Sequence, residues 1–518
     1  MEVSGMFSMI FLSCAAVIVS FCAWNILEWV WFRPKRLEKC LRQQGLHGNP
    51  YRFFFGDFKE MTRLQKEVWS KPMSLSDDIV TRAVPELDQC LKKYGKYSFL
   101  WYGSKPTVIV WEPEYVRDIF SKVDAFQKPP TPEVRRMSNG VDSLETDKWA
   151  KHRKLVNPAF HVEKLKLMVP SFYLSCAEML SKWDEIIPNE GACELELWDY
   201  LQTLTSDVIS RTAFGSSFEE GRKIFELQCE QAFLVMDMER SVYIPGSRFL
   251  PTKHNRRIKE IRKEVKSTVM RIIEKRLKSM RSGEGSGEDL LGLLLESNSK
   301  EIKARGSKFG MSMEEVIEEC KLFYFAGQET TSTLLVWTMI LLGKHTDWQS
   351  RARDEVLQLF GKRKPDYQEL NQLKIINMIL LEVLRLYPPS YMRIRMAMED
   401  SKIGNLTLPA GVQLILPIIL LHHDKKIWGD DVNEFNPMRF SEGISHATGG
   451  QMIYLPFGYG PRICVGQNFA MAEAKTAMAM ILQRFAFKLS PSYSHAPWAM
   501  VTLQPQHGAQ LMVEKIKD

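Results

Sequence analysis

The sequence predicts a mainly α-helical protein with small β-sheets, preceded by a single N-terminal transmembrane helix. Three observations lead there. An uncharged apolar run opens the chain, helical periodicity dominates its middle, and short aromatic and β-branched runs fit strands near residues 98–113 and again after 400. Across 518 residues, 45% hydrophobic and 25% charged content is a globular composition with ample core. The net charge of +7 is mild and comes without a basic-aromatic groove, so nucleic acid is not an expected partner. Nine scattered cysteines with no C-x-x-C argue against a secreted disulfide framework and for a reducing compartment.

The first element is the run from Met6 to Trp24, which carries no charge. As a helix it spans about 28 Å, close to the roughly 30 Å hydrocarbon core of a bilayer. Trp24, Trp29 and Trp31 follow as an interfacial belt would, and then Arg33, Lys35, Arg36, Lys39 and Arg42. The basic flank should stay cytosolic. A cleaved signal peptide would carry its positive charge on the other side of the run. Residues 1–32 are therefore expected to be the anchor, and residues 33–52, ending in "GLHGNPYR", a basic hinge stiffened by proline.

"SFLWYGSKPTVIVWEP" (Ser98–Pro113) reads as two strands around a turn. Helical periodicity then runs from Val162 to Lys278, and Arg256–Met280 is a long amphipathic helix with a solvated basic face. "SGEGSGED" (Ser282–Asp289) reads as a flexible surface loop. "LLVWTMILLG" (Leu334–Gly343) is too short to span a membrane and reads as a buried core helix. There are no repeats and no low-complexity tracts.

The chemistry concentrates in four stretches. "PFGYGPRICVGQNF" (Pro456–Phe469) sets Cys464 in a glycine-rich turn at the mouth of a strong helix former. Unpaired N–H groups and the positive dipole end favour thiolate there. Glycines 458, 460 and 466 would let backbone approach a flat ligand. In "AGQETTS", Ala326 and Gly327 remove side-chain bulk, while Glu329 and Thr330 supply a carboxylate and a hydroxyl for a proton relay. A helix-packing notch explains the small residues equally well. In "LLEVLRLYPP", Glu382 and Arg385 stand three apart among leucines, where charges are buried only if paired. "WAKHR" puts Trp149 and Arg153 one helical turn apart. No phosphate loop, zinc-protease motif, nucleophile elbow or strand-linked flavin or nicotinamide fingerprint occurs, and His422 and His423 read as structural.

These stretches, in this order, resemble the cytochrome P-450 superfamily of haem-thiolate monooxygenases. The resemblance implies haem b with the Cys464 thiolate on its iron, and Phe457 and Gly466 in the loop around it. It implies Trp149, Arg153, Arg395 and Arg462 at the haem propionates, and Thr330 with Glu329 as the oxygen-activation pair. Arg439 in "FNPMRF" would join Glu382 and Arg385 in a structural triad, and residues 53–518 would form the catalytic domain. The stem and stretches such as "KWAKHRKLVNPAFHVEKLKLM" look like the plant clan that contains secologanin synthase and 7-deoxyloganate hydroxylase. That implies an apolar plant metabolite as substrate, with a terpenoid of iridoid, triterpenoid or gibberellin type favoured, and O2 as co-substrate.

The substrate would be met by the loop Asp124–Ser143, Phe325, Ala326, Ser390–Ile394 and Met500–Leu503. Arg393 departs from the usual apolar residue at its place. A substrate carboxylate or sugar, a propionate, or solvent could each be its partner. Electrons must come from outside the chain, by resemblance from NADPH–cytochrome P-450 reductase at an endoplasmic reticulum membrane, with the catalytic domain in the cytosol. Lys148, Lys151 and Lys154 could meet that acidic partner or form a plain solvated face. A haem dehydratase or isomerase that does not use O2, and a haem electron carrier, are the alternative functions.

Overall fold

The computed structural model describes residues 2–130, 137–215, 218–239, 244, 246–282 and 289–516. The loop expected at Ser282–Asp289, apart from its two ends, and residues 131–136 of the Asp124–Ser143 loop lie outside the described residues.

Glu2–Leu27 is one helix that continues through a π-helical turn, Glu28–Phe32, into the helix Arg33–Gln43. Phe11 is 75% exposed and Val17, Phe21 and Trp24 are similarly bare, so this apolar surface is not covered by the rest of the described residues. Among the described residues, one helix is long and apolar enough to cross a membrane, Met9–Gln43. Where the charges begin, the helix meets the body. Leu41 and Leu46 are fully buried, Glu38 pairs with Lys35 and Arg42, and Arg42 donates to Gly48 O at 2.9 Å. Trp101 Nε1 donates to Asn49 O at 3.0 Å. The stem thus lies along the main sheet, held by a buried carboxylate that accepts from two cations and from the Tyr51 N–H.

That sheet has five strands, in the order Phe99–Tyr102, Lys105–Ile109, Gln413–Leu416, Arg393–Ala397 and Phe126–Gln127. Only the Lys105–Ile109 and Gln413–Leu416 pair is parallel; the others run antiparallel. A second sheet joins Cys193–Glu196, Gln510–Lys515 and Phe485–Leu489. The strand at Cys193–Glu196 interrupts the region read above as helical throughout. Its partner lies more than 300 residues downstream, so its pairing leaves little local trace.

The helical core is built by Val162–Ile186, Leu197–Phe214, Gln467–Arg484 and the long central helix Met313–Lys344. Ser312 and Glu315 close a capping box at the start of that central helix. Every residue from Thr331 to Gly343 is buried, since apolar side chains ring this half on all sides. The stretch just before it is more open: Ala326 is exposed and Gly327 and Thr330 are half-buried.

Candidate active site

The cysteine loop is shaped by its backbone. Gly458 and Gly460 take φ of 74° and 70°, which side-chain-bearing residues rarely adopt. At Gly460 a Cβ would also sit 3.1 Å from the carbonyl of Phe120. The turn closes when the Cys464 N–H donates to Phe457 O at 2.9 Å and the Ile463 N–H to Gly460 O at 3.0 Å. Gly466 needs no such freedom, for a Cβ there would meet only Phe160 and the Cys464 sulfur, at 3.8 and 4.0 Å.

Cys464 is exposed, yet the surrounding protein raises its pKa by burial. The Gly466 N–H and the guanidiniums of Arg393 and Arg153 pull the pKa down, but burial outweighs them. The expected thiolate therefore draws on the Gly466 N–H at the helix mouth and on the two arginines, against the cost of burial. The helix begins only at Gln467, after Cys464, and its dipole acts within the first turn. Bound iron would supply the missing positive charge.

The central helix divides its functional residues between faces. Ala326 and Thr330, four apart, share the open side, and the Thr330 hydroxyl donates to Ala326 O at 2.8 Å. Phe325, Gln328 and Glu329 turn to another face and line a cavity of about 560 Å3 shared with Phe225, Phe233 and Val501. Phe325 and Ala326, grouped above as substrate contacts, therefore face different spaces. Gly327 serves packing: a Cβ there would lie 2.8 Å from Cδ1 of Ile209.

Glu329 is buried, accepts from the Thr502 hydroxyl at 2.7 Å, and has its pKa raised by burial. No hydrogen bond joins its carboxyl to Thr330, so a relay between them runs through a third group. Hydroxyls of Thr205, Ser332 and Thr333 bond to the carbonyls of Gln328 and Glu329, which weakens the helical ladder at this point.

Cations gather beside the cysteine loop. Arg462 donates to Leu144 O at 2.7 Å, pairs with Glu145, and lies 4.5 Å from the ring of Trp149. Lys128 pairs with Asp142 at 2.7 Å. Arg395, 6% exposed, donates only to Ile394 O, and burial with the nearby Arg393 pulls its pKa down to about 10. Arg153 and Arg393 have no ion pair among the described residues.

Below the loop, Glu382 and Arg385 are fully buried and bonded twice, at 2.7 and 2.8 Å. Arg385 also donates to the carbonyls of His422 and Val432 at 2.9 and 2.7 Å. Arg439 reaches Glu382 at 3.5 Å and pairs with Asp431 at 2.7 Å. His422 spans from Arg385 O to the Leu455 N–H just before the loop, at 3.2 and 2.9 Å.

Sequence reasoning placed Thr502 only within the substrate stretch Met500–Leu503 and missed its bond to Glu329, as well as the buried contact between His152 Nδ1 and Glu319 at 2.5 Å. The latter ties the Trp149 helix, Thr146–Val156, to the central helix. Neither contact has a local signal; "WAKHR" held the only hint of the second. Of the three lysines, Lys151 pairs with Glu315 at 3.2 Å and Lys154 with Glu301 at 2.7 Å, while Lys148 is exposed.

A flat, dianionic iron porphyrin fits these residues. It offers iron to an open sulfur, a face to Ala326, and two carboxylates to arginines that lack anions. Comparison with known proteins agrees. A family model described as cytochrome P-450 matches residues 80–511. The chain is 60% identical over 506 residues to cytochrome P-450 CYP72A219 of Panax ginseng, covering 97% of this chain and 98% of that one. It is 52% identical over 516 residues to 7-deoxyloganic acid hydroxylase of Catharanthus roseus, covering 98% and 99%. Against secologanin synthase 1 of the same plant it is 51% identical over 500 residues, covering 96% and 95%.

Proposed function

The chain belongs to the cytochrome P-450 family and is a monooxygenase whose haem is held through a cysteine thiolate; from that premise we propose that it hydroxylates or further oxidises an apolar plant terpenoid. It works from the endoplasmic reticulum membrane, held by residues 1–32, with residues 53–518 in the cytosol and electrons delivered by NADPH–cytochrome P-450 reductase. The names of two relatives, a 7-deoxyloganic acid hydroxylase and a secologanin synthase, support terpenoid chemistry. The bare apolar helix at the N-terminus supports the anchor.

The observation that carries the reading is the exposed Cys464 in its glycine-shaped turn, near arginines that have no ion pair among the described residues. Haem bound there supplies the redox centre at which O2 is reduced and one oxygen atom passes to a C–H bond. Cys464 would hold the iron through its thiolate, and thiolate ligation favours O–O cleavage. Arg153, Arg395 and Arg462, with the Trp149 indole, would hold the propionates. Arg462 comes to this task oriented by Glu145 and by the Trp149 ring. Burial raises the pKa of the Glu329 carboxyl, Thr502 fixes that carboxyl, and in the proposed relay its proton reaches the Thr330 hydroxyl through a third group. Glu382, Arg385 and Arg439 lock the segments that present the loop.

The test is turnover of iridoid, triterpenoid and gibberellin-like substrates by the full-length protein with reductase, NADPH and isotopically labelled O2. One labelled oxygen atom in an NADPH-dependent product is expected. Turnover of organic peroxides with no need for NADPH would replace this reading with the dehydratase or isomerase.

A further inference from the structure

We propose that Arg393 binds a carboxylate of the substrate, so that the enzyme acts on terpenoid acids. The inference rests on the monooxygenase reading and adds the chemical class of the substrate. Three arginines near Cys464 have no ion pair among the described residues: Arg153, Arg393 and Arg395. Haem brings two propionates. With the propionates assigned to Arg153, Arg395 and Arg462, Arg393 is the cation left over. The other nearby cation, Lys128, already holds Asp142.

Strand geometry selects Arg393 as the one left over. Arg393 and Arg395 lie two apart on the strand Arg393–Ala397, so their side chains leave the same face about 7 Å apart. Arg395 is the buried member of the pair, and Arg393 is half-buried. Going back from Arg393, the chain leads to Tyr391, whose hydroxyl donates to Met500 O at 3.2 Å, and to Pro389, whose carbonyl accepts the Leu503 N–H at 3.1 Å. Met500–Leu503 also carries Thr502, the partner of Glu329.

Along the chain, Arg393 therefore lies between Arg395 and the segment bonded to the wall that carries Thr502. Arg393 feels the charge of Asp142, but its side chain makes no hydrogen bond or ion pair among the described residues. A planar carboxylate offers it two parallel hydrogen bonds.

The test avoids the need to know the substrate. The full-length holoprotein is titrated with ω-imidazolyl alkanoic acids of graded length and with their methyl esters, and binding is read from the shift of the haem absorption band. The imidazole nitrogen binds iron, so chain length sets how far the carboxylate reaches. In wild type, acids of one length should bind at least about 10-fold tighter than their esters, roughly 1.4 kcal/mol. Arg393→Met should bring acid and ester to parity with haem content unchanged, and Arg393→Lys should keep part of the preference. No acid preference at any length, or a preference that survives Arg393→Met, overturns the proposal. Loss of haem in Arg393→Met also overturns it, because the arginine then serves a propionate. Absence of any imidazole shift in wild type marks failure of the haem reading itself and is seen separately.

Discussion

Arg385 and Arg395 are both buried, at 0% and 6% exposure, but their surroundings are opposite. Arg385 has two bonds to Glu382 and two short bonds to backbone carbonyls, so its donors are spoken for within the chain. Arg395 has a single bond to the carbonyl of its neighbour and faces a second cation, which helps bring its pKa down to about 10. The difference separates architecture from site. A buried charge whose partners are all present holds the fold. A buried charge without them is held ready for a ligand.

Four substitutions and one pH series break or sharpen that comparison. The largest effect should come from Glu382→Gln, which strands Arg385 with no counter-charge. Removing one partner of a buried pair costs roughly 3–5 kcal/mol, so thermal unfolding should show a steep loss of stability, and haem should not be retained. Next, Glu329→Gln removes the carboxyl from the relay. Turnover should fall about 100-fold, as expected for a general acid, while substrate binding read by the haem spectrum stays near wild type.

On the site side, Arg395→Met should do the reverse of Glu382→Gln. The haem-free protein should be at least as stable, because an uncompensated buried cation is gone, while haem dissociates about 10-fold faster for want of one charged hydrogen bond. Thermal melts of the haem-free form and transfer of haem to an acceptor protein measure the two arms.

His422 gives the lock a pH dependence. Burial lowers its pKa from 6.5 to about 3. Between those values the unfolded chain binds a proton that the native one refuses. The stability it contributes is therefore full above pH 6.5 and is lost as pH falls toward 3. Denaturant melts across that window should slope by about 1.4 kcal/mol per pH unit for this residue, and His422→Phe should flatten that share. The smallest effect belongs to Thr502→Val. It costs about 1 kcal/mol through one lost hydrogen bond and moves the Glu329-dependent limb of the turnover profile to higher pH, since Thr502 now lowers that pKa.

What the residues alone disclosed follows from the range of each interaction. Glu382 and Arg385 are three apart among leucines, so their pairing was legible: burial without a partner is too costly. The turn before Cys464 was legible for a similar reason, because only glycine takes those backbone angles readily. The partner of Glu329 was not, since Thr502 lies 173 residues away. Nor was the role of Gly327, which depends on Ile209 in another helix. A small residue on a helix reads the same whether it clears space for a cofactor or for a neighbour. The cost of burying Cys464 was not legible, because helix position is local and visible, while burial is made by the whole fold.

The most direct test of the account is the absorption spectrum of the reduced, CO-bound holoprotein, wild type beside Cys464→Ala. Wild type should show the strongly red-shifted band of thiolate-ligated haem, and the variant should lose it. A wild-type band at the position of histidine- or thiol-ligated haem, or a red-shifted band that survives in Cys464→Ala, would contradict the assignment of Cys464 as the ligand.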